Sequence, residues 1–345
     1  MTRPEPDAPL ESGPQSEPDS AGASAPAPRR GRAALFNAVK IVLLLAMLAF
    51  AGYYLVDNWP EVSRALRQLS TALAVASIVP AVLAMVCGMF VWRSLLADLG
   101  SRLPVLVAAR IFFVSQLGKY LPGSVWSIAT QIELGYQHKV PRRVSLSVGI
   151  LGLALVVAVG FPISAVLLPL GAPDVLGRYW WGMLAVPFVL AALHPAILGP
   201  LADFAFKVLR RPPLPKRPTG KGITIAAAWQ AGVWFFFGVH AWLLLVGFGA
   251  PPLRALAVAI GGYSLAYSLG MLAIPVPAGA GVRDIALVAA FSAVVTVEQA
   301  ALVALVSRVI LAAVDVGLAG GQYLVTARRV APPTDDLPEP ANTPA

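Results

Sequence analysis

Charge is scarce in this chain. Only 12% of its 345 residues are Asp, Glu, Lys or Arg, about half the share of a soluble globular domain. So few could not cover a water-facing surface. Cysteine occurs once, as Cys87 inside an apolar run, which excludes a disulfide framework and a cysteine-based metal site. The histidines, His138, His194 and His240, are too scattered for zinc-ligand spacing, and no Ser-His-Asp set can be built on them. Glycine-rich AGAGV (278–282) lacks the full dinucleotide-loop spacing and follows no soluble strand. No cofactor or metal is expected.

What the chain has instead is apolar surface. Its residues are 58% hydrophobic and its mean hydropathy is +0.75, with several runs of about 18 residues or more, the length that spans a bilayer. The fold class that follows is an all-α polytopic membrane protein. Net charge is +9, which in a soluble protein would suggest nucleic acid. Here Lys and Arg cluster in short connectors between apolar runs, as topology determinants facing anionic headgroups do. The membrane is therefore the expected partner and nucleic acid is not.

Residues 1–34 and 329–345 are rich in Pro, Ala and polar or charged residues, cannot bury a core, and are expected to be disordered cytoplasmic tails around a membrane domain at 35–328. The first apolar run, behind Arg29, Arg30 and Arg32, has no small-residue cleavage site in place and reads as a retained helix. Apolar runs occupy about 35–56, 72–96, 103–118, 123–137, 144–170, 180–202, 222–249, 254–276, 280–296 and 299–326. Six are long enough to cross. The other four form two pairs, joined by KYLPGS (119–124) and PVPAGAGVRD (275–284).

Positive residues assign the sides. Arg29, Arg30, Arg32, Lys40, Arg93, Arg102, Lys139, Arg142, Arg143, the basic 203–221 loop, Arg328 and Arg329 fall at one set of connectors. The opposite set holds Arg64, Arg67, Arg178 and Arg254. Both termini are then cytoplasmic. Both ends of 103–137 fall inside and both ends of 254–296 outside, so the two pairs read as re-entrant hairpins entering from opposite faces. SQLG (115–118) before one tip and YSLG (267–270) before the other hint at an inverted repeat, whose substrate site lies where broken helices meet. Non-helical backbone at membrane depth survives only inside protein or along a wet cavity. Pro122 and Gly123 would turn the first tip, with Lys119 facing the cavity and helix N–H groups free for an anion.

Ionisable residues inside apolar runs are costly, and are functional or paired. They are Arg110, Lys119 and Glu133 in the first hairpin, Arg283 and Asp284 in the second, and Arg308 and Asp315 in the last helix, seven apart and so on one face. One reading is a cationic cavity for a phosphate headgroup, its cations oriented by the carboxylates. The other is a set of structural ion pairs that lock the hairpins. Arg110 fits a side chain that snorkels to the cytoplasmic face. Trp126, Tyr120, Tyr263 and Tyr267 read first as packing or interfacial residues.

YLPGSVW (120–126) and PAGAGVRD (277–284) carry a resemblance. The chain resembles the flippase-like transmembrane family related to the membrane half of lysylphosphatidylglycerol synthetases, whose members have Y-x-P-G-x-x-W and P-x-G-x-G-x-R-E motifs. The resemblance covers about 35–328. The motif residues, together with the charges inside the apolar runs, give a candidate substrate site at Lys119, Tyr120, Pro122, Gly123, Trp126, Glu133, Pro277, Gly279, Gly281, Arg283, Asp284, Arg308 and Asp315. Asp284 stands where the family has Glu, one methylene shorter. About 17 residues follow Arg328, so lipid aminoacylation is not expected of this chain.

The expected function is translocation of an anionic phospholipid or lipid-linked substrate between leaflets of the plasma membrane, without enzymatic chemistry. Two alternatives remain open: an integral-membrane enzyme on a lipid-linked substrate, and a non-transporting lipid-binding partner of a separate synthase. A second copy of the chain is a further candidate partner.

Overall fold

The computed structural model describes residues 70–120, 126–172, 216–272 and 281–327, with a few single positions besides. All lie in one compact unit, Leu44–Ala345. The described residues are helical and contain no strand. In order they form α1 (Thr71–Ala76), α2 (Ile78–Asp98), α3 (Val105–Gln116), a 3₁₀ turn (Leu117–Tyr120), α4 (Trp126–Gln137), α5 (Arg142–Gly171), α6 (Gly220–Gly247), α7 (Pro252–Leu272), α8 (Val282–Phe291) and α9 (Val297–Ala327). Five stretches are long and apolar enough to cross a membrane: Thr71–Asp98, α5, α6, α7 and Val297–Gln322 of α9. The runs at 35–56 and 180–202 lie outside the described residues.

The two limbs of the first hairpin are as short as the sequence predicts. Helices α3 and α4 have 12 residues each, about 18 Å at 1.5 Å per residue, and pack against each other. Neither can cross a core of about 30 Å. The hairpin closes tightly at Gly118, where an added Cβ would lie 2.7 Å from the Ser127 nitrogen and 2.8 Å from the Trp126 carbonyl carbon. Its tip, 121–125, is outside the described residues.

The second hairpin is lopsided, and this corrects the sequence reading. The 254–276 limb, expected to be short or broken, is the continuous 21-residue helix α7, long enough to cross. Only its partner α8 is a half-helix, of ten residues. The small residues within this limb are packing surfaces. Gly261 lies so close to α5 that a Cβ would meet the Leu168 nitrogen at 2.9 Å, and Gly171 of α5 is equally tight against the Arg254 carbonyl oxygen, at 2.8 Å.

Apart from α1, the described helices form two four-helix halves, α2–α5 and α6–α9, with the same internal plan. Exchanging α2 with α6, α3 with α7, α4 with α8 and α5 with α9 maps the principal packing onto itself. The first helices, α2 and α6, pack on each other. Limb α3 packs on α9 as limb α7 packs on α5, and α2 meets α9 as α6 meets α5. Even the turns match. Helix α2 ends at left-handed Gly100 (φ 96°), with Ser101 N–H donating to the Leu96 carbonyl at 2.8 Å; α6 ends at Gly249 (φ 85°), with Ala250 N–H donating to Leu245 at 3.1 Å. Both are six-to-one caps around a glycine that needs no Cβ clearance, and a proline opens each following limb.

The halves run in opposite directions. At the end of α2, Asp98 accepts from Thr219 N–H (2.7 Å) and the Thr219 hydroxyl (2.6 Å), which open α6. At the start of α2, the Ser77 carbonyl accepts from His240 near the end of α6 (2.9 Å). One end of the bundle therefore gathers Arg93, Arg102, Lys139, Arg142, Arg143, Lys216, Arg217 and Lys221. Among the described connectors the other end carries Arg254, whose Nε donates to the Gly171 carbonyl (3.1 Å).

Candidate functional site

The site is assembled from the two hairpins and α9. Because Gly118 abuts the start of α4, α3 tightens into the 3₁₀ turn Leu117–Tyr120, which presents two consecutive polar side chains to α9. Lys119 Nζ lies 2.6 Å from Asp315 Oδ2, and the Tyr120 hydroxyl donates to the same oxygen at 2.5 Å. Asp315 is buried, with 1% of its surface exposed, and its other oxygen, Oδ1, has no hydrogen-bond partner.

From the second hairpin, Gly281 (φ 84°) opens α8 and donates its N–H to Asp284 Oδ2 at 3.1 Å. The same oxygen accepts from Arg308 Nη1 of α9 at 2.5 Å. Asp284 thus caps its own helix and holds Arg308. Arg283 turns inward and is 8% exposed, its guanidinium 5.3 Å from the centre of the Tyr267 ring on α7. Its Nε is 3.8 Å from Asp284 Oδ1, too long for a hydrogen bond, and both atoms are buried without one. Lys119 Nζ is in turn 5.3 Å from the centre of the Tyr120 ring.

The predicted charges thus converge, with Lys119, Arg283 and Arg308 facing Asp284 and Asp315, a balance of one positive charge. Arg308 and Asp315 share a face, as their spacing requires, but each pairs with a different hairpin. They bracket the midpoint of a 31-residue helix, and midplane sites between broken helices are where transporters bind their substrates.

Other predicted residues stand elsewhere. Glu133 does not join the cluster. It pairs at 3.2 Å with Arg142, both sides of the pair about half exposed, beside an Arg142–Tyr136 stacking contact of 4.1 Å. Seven residues beyond Trp126, it has reached the α4–α5 elbow. Trp126 opens α4 and abuts Gly118 through its backbone. Arg110 is exposed on α3. Pro122, Gly123, Pro277 and Gly279 lie outside the described residues.

Beneath the charges lies a polar network that the sequence reading missed. Tyr263 stacks on Phe237 (5.3 Å) and Tyr267 (6.1 Å). Its hydroxyl meets Ser307 Oγ at 2.8 Å, Ser307 Oγ meets His240 Nε2 at 3.0 Å, and His240 Nδ1 meets the Ser77 carbonyl at 2.9 Å. A carbonyl can only accept, so Nδ1 carries the proton and Nε2 accepts from Ser307, which in turn accepts from Tyr263. The signal was available: Tyr263 and Tyr267 are four apart on one helix face, and His240 is an ionisable residue inside a membrane-length run.

The profile of one protein family, the lysylphosphatidylglycerol synthase TM region, matches residues 37–319. The chain belongs to that family. Nearly all of the described bundle falls within the match, so the two hairpins and α9 up to Asp315 are the family's membrane region. No curated protein matches the chain.

Proposed function

We propose that this member of the lysylphosphatidylglycerol synthase TM region family moves an anionic phospholipid, or another lipid-linked anion, between membrane leaflets. Its headgroup binds between the hairpins while the acyl chains stay in lipid. The observation that carries this reading is Arg283, a buried guanidinium whose Nε has no hydrogen-bond partner, at the N-terminus of a half-helix. A buried cation with an idle donor calls for an anion, and the half-helix dipole adds to the attraction. Lys119 and Arg308 bring further positive charge, and the oppositely directed halves suit exposure of one site to each side in turn. The reading needs no covalent chemistry on the lipid. It places the chain in the cell membrane with the basic end of the bundle, and both termini, in the cytoplasm.

Leaflet exchange of fluorescent lipids in proteoliposomes tests this. Wild type is expected to exchange phosphatidylglycerol in preference to phosphatidylcholine. Lys119→Ala and Arg283→Ala are each expected to lose that preference while keeping the wild-type elution profile. Exchange with the same preference in both variants would make the two cations structural. Absence of exchange in wild type under imposed gradients would favour a lipid-binding partner of a separate synthase.

A further inference from the structure

Two carboxylates serve three cations at this site, and their situations differ. Asp284 is partly exposed, fixed by a backbone cap, and shared between Arg308 and Arg283. Asp315 is fully buried and has one cationic partner, Lys119. Lys119 and Tyr120 both bind Oδ2, which leaves Oδ1 buried and unpartnered. Lys119 itself is 21% exposed where Asp315 is 1% exposed, so the cation is the more open member of the pair.

We propose that Asp315 is a proton-binding site linked to the substrate site. When an anionic headgroup takes Lys119, the free oxygen of Asp315 accepts one proton, and anion and proton cross the membrane together. The inference rests on the translocation reading above and supplies its coupling ion.

The chemistry follows from burial. While Lys119 stays on Oδ2, the ionised carboxylate has a counter-charge. Once a phosphate oxygen replaces that carboxylate as the partner of Lys119, Asp315 is a buried anion with no cation, and such a group neutralises rather than stays charged. The proton comes from the aqueous side and forms an O–H bond at Oδ1; only the ion pair with Lys119 is broken. On release of the headgroup the proton leaves and Asp315 recaptures Lys119. The site carries one net positive charge at the start. A headgroup of one negative charge plus one proton leaves that sum unchanged, so the loaded and empty sites have equal charge.

No other group among the described residues packed around α9 can substitute. Tyr120 already donates to Asp315, and Tyr267 lies under Arg283. Arg283, Asp284 and Arg308 form their own set, in which Asp284 Oδ1 is also without a hydrogen bond but keeps a cation, Arg283, at 3.8 Å. Tyr263 is bonded to Ser307, and Glu298 is exposed in the first turn of α9. On α3 the charge is Arg110, which is exposed. On α6, His240 has both nitrogens hydrogen-bonded, and Lys221 lies at the far end. On α2, Arg93 binds the Leu103 carbonyl, Asp98 binds Thr219, and Cys87 is buried in apolar surroundings.

The test uses the purified full chain and short-chain phosphatidylglycerol as probe. Binding linked to one proton weakens about tenfold per unit rise in pH, and wild type is expected to show that slope together with proton uptake seen by an indicator dye. Asp315→Asn is expected to bind with no slope. Lys119→Met, which keeps the carboxylate but removes the cation it answers to, is expected to bind more weakly and also to lose the slope. In proteoliposomes, a pH gradient should bias the leaflet distribution, and a potassium diffusion potential of equal driving force should not. A flat slope in wild type, or the wild-type slope retained in Asp315→Asn or in Lys119→Met, would overturn the proton site while leaving translocation standing. Proton-linked binding without exchange under either gradient would support the proton site and overturn the translocation reading.

Discussion

At the scale of single residues, this protein shows how expensive polar atoms are arranged where water is absent. Ser307 is the hinge of the buried network, since its hydroxyl donates to His240 and accepts from Tyr263. Ser307→Ala orphans two buried partners at once, whereas Tyr263→Phe leaves Ser307 still bonded to His240. A membrane interhelical hydrogen bond is worth about 0.6 kcal/mol on average, and an orphaned buried polar atom costs about 1–3 kcal/mol. Ser307→Ala should therefore destabilise by about 1–3 kcal/mol and Tyr263→Phe by less, as read by thermal unfolding in detergent. Equal losses would mean that the serine does not link the two. Lys119, Arg283, Asp284, Arg308 and Asp315 were legible in the sequence because an ionisable residue in an apolar run is costly and must be functional or paired. Their pairing was not legible. Helical spacing puts Arg308 and Asp315 on one face but cannot say which hairpin meets which, and Glu133 met the same criterion yet sits at an elbow.

At the scale of elements, small residues decide how close the helices come. Limb α7 lies against α5 at Gly171 and Gly261, where a Cβ would press on backbone atoms that cannot move aside. Gly261→Leu should cost about 1–3 kcal/mol, the usual penalty for overpacking, and lower the midpoint of thermal unfolding. Gly152→Ala, on the same helix as Gly171 but with nothing within 4 Å of the added carbon, should be neutral or gain up to about 1 kcal/mol from helix propensity. Similar effects from both would refute the close-approach account. The misreading of α7 came from the Pro/Gly segment at 275–284, which lies beyond the helix end at Leu272. Glycine weakens a helix in water, but in a bundle its lack of a side chain is what lets another helix in. The first hairpin was legible because its limbs are short by count alone.

At the scale of the whole molecule, the repeat emerges from packing far more clearly than from letters. SQLG and YSLG are a faint match, and the stronger signal lay elsewhere. Leu-Gly at 99–100 and Phe-Gly at 248–249 each close a long helix, and a proline opens the next limb. Opposed halves place the α4–α5 elbow and the start of α7 on different sides of the membrane. In a Cys87→Ala background, His138→Cys and Leu253→Cys should react with a membrane-impermeant maleimide from opposite faces, Leu253→Cys in intact cells and His138→Cys only after permeabilisation. Labelling of both from one face would refute the inversion.

The direction of the buried hydrogen bonds has a further consequence. Each link from Tyr263 through Ser307 to His240 passes its hydrogen the same way, and the last hydrogen rests on the Ser77 carbonyl. A backbone carbonyl has no proton to hand on, so this chain is a dead end for proton hopping. It insulates the bundle interior between the charged cluster and the head of α2. A proton that reaches the charged cluster must therefore arrive by a path other than this chain.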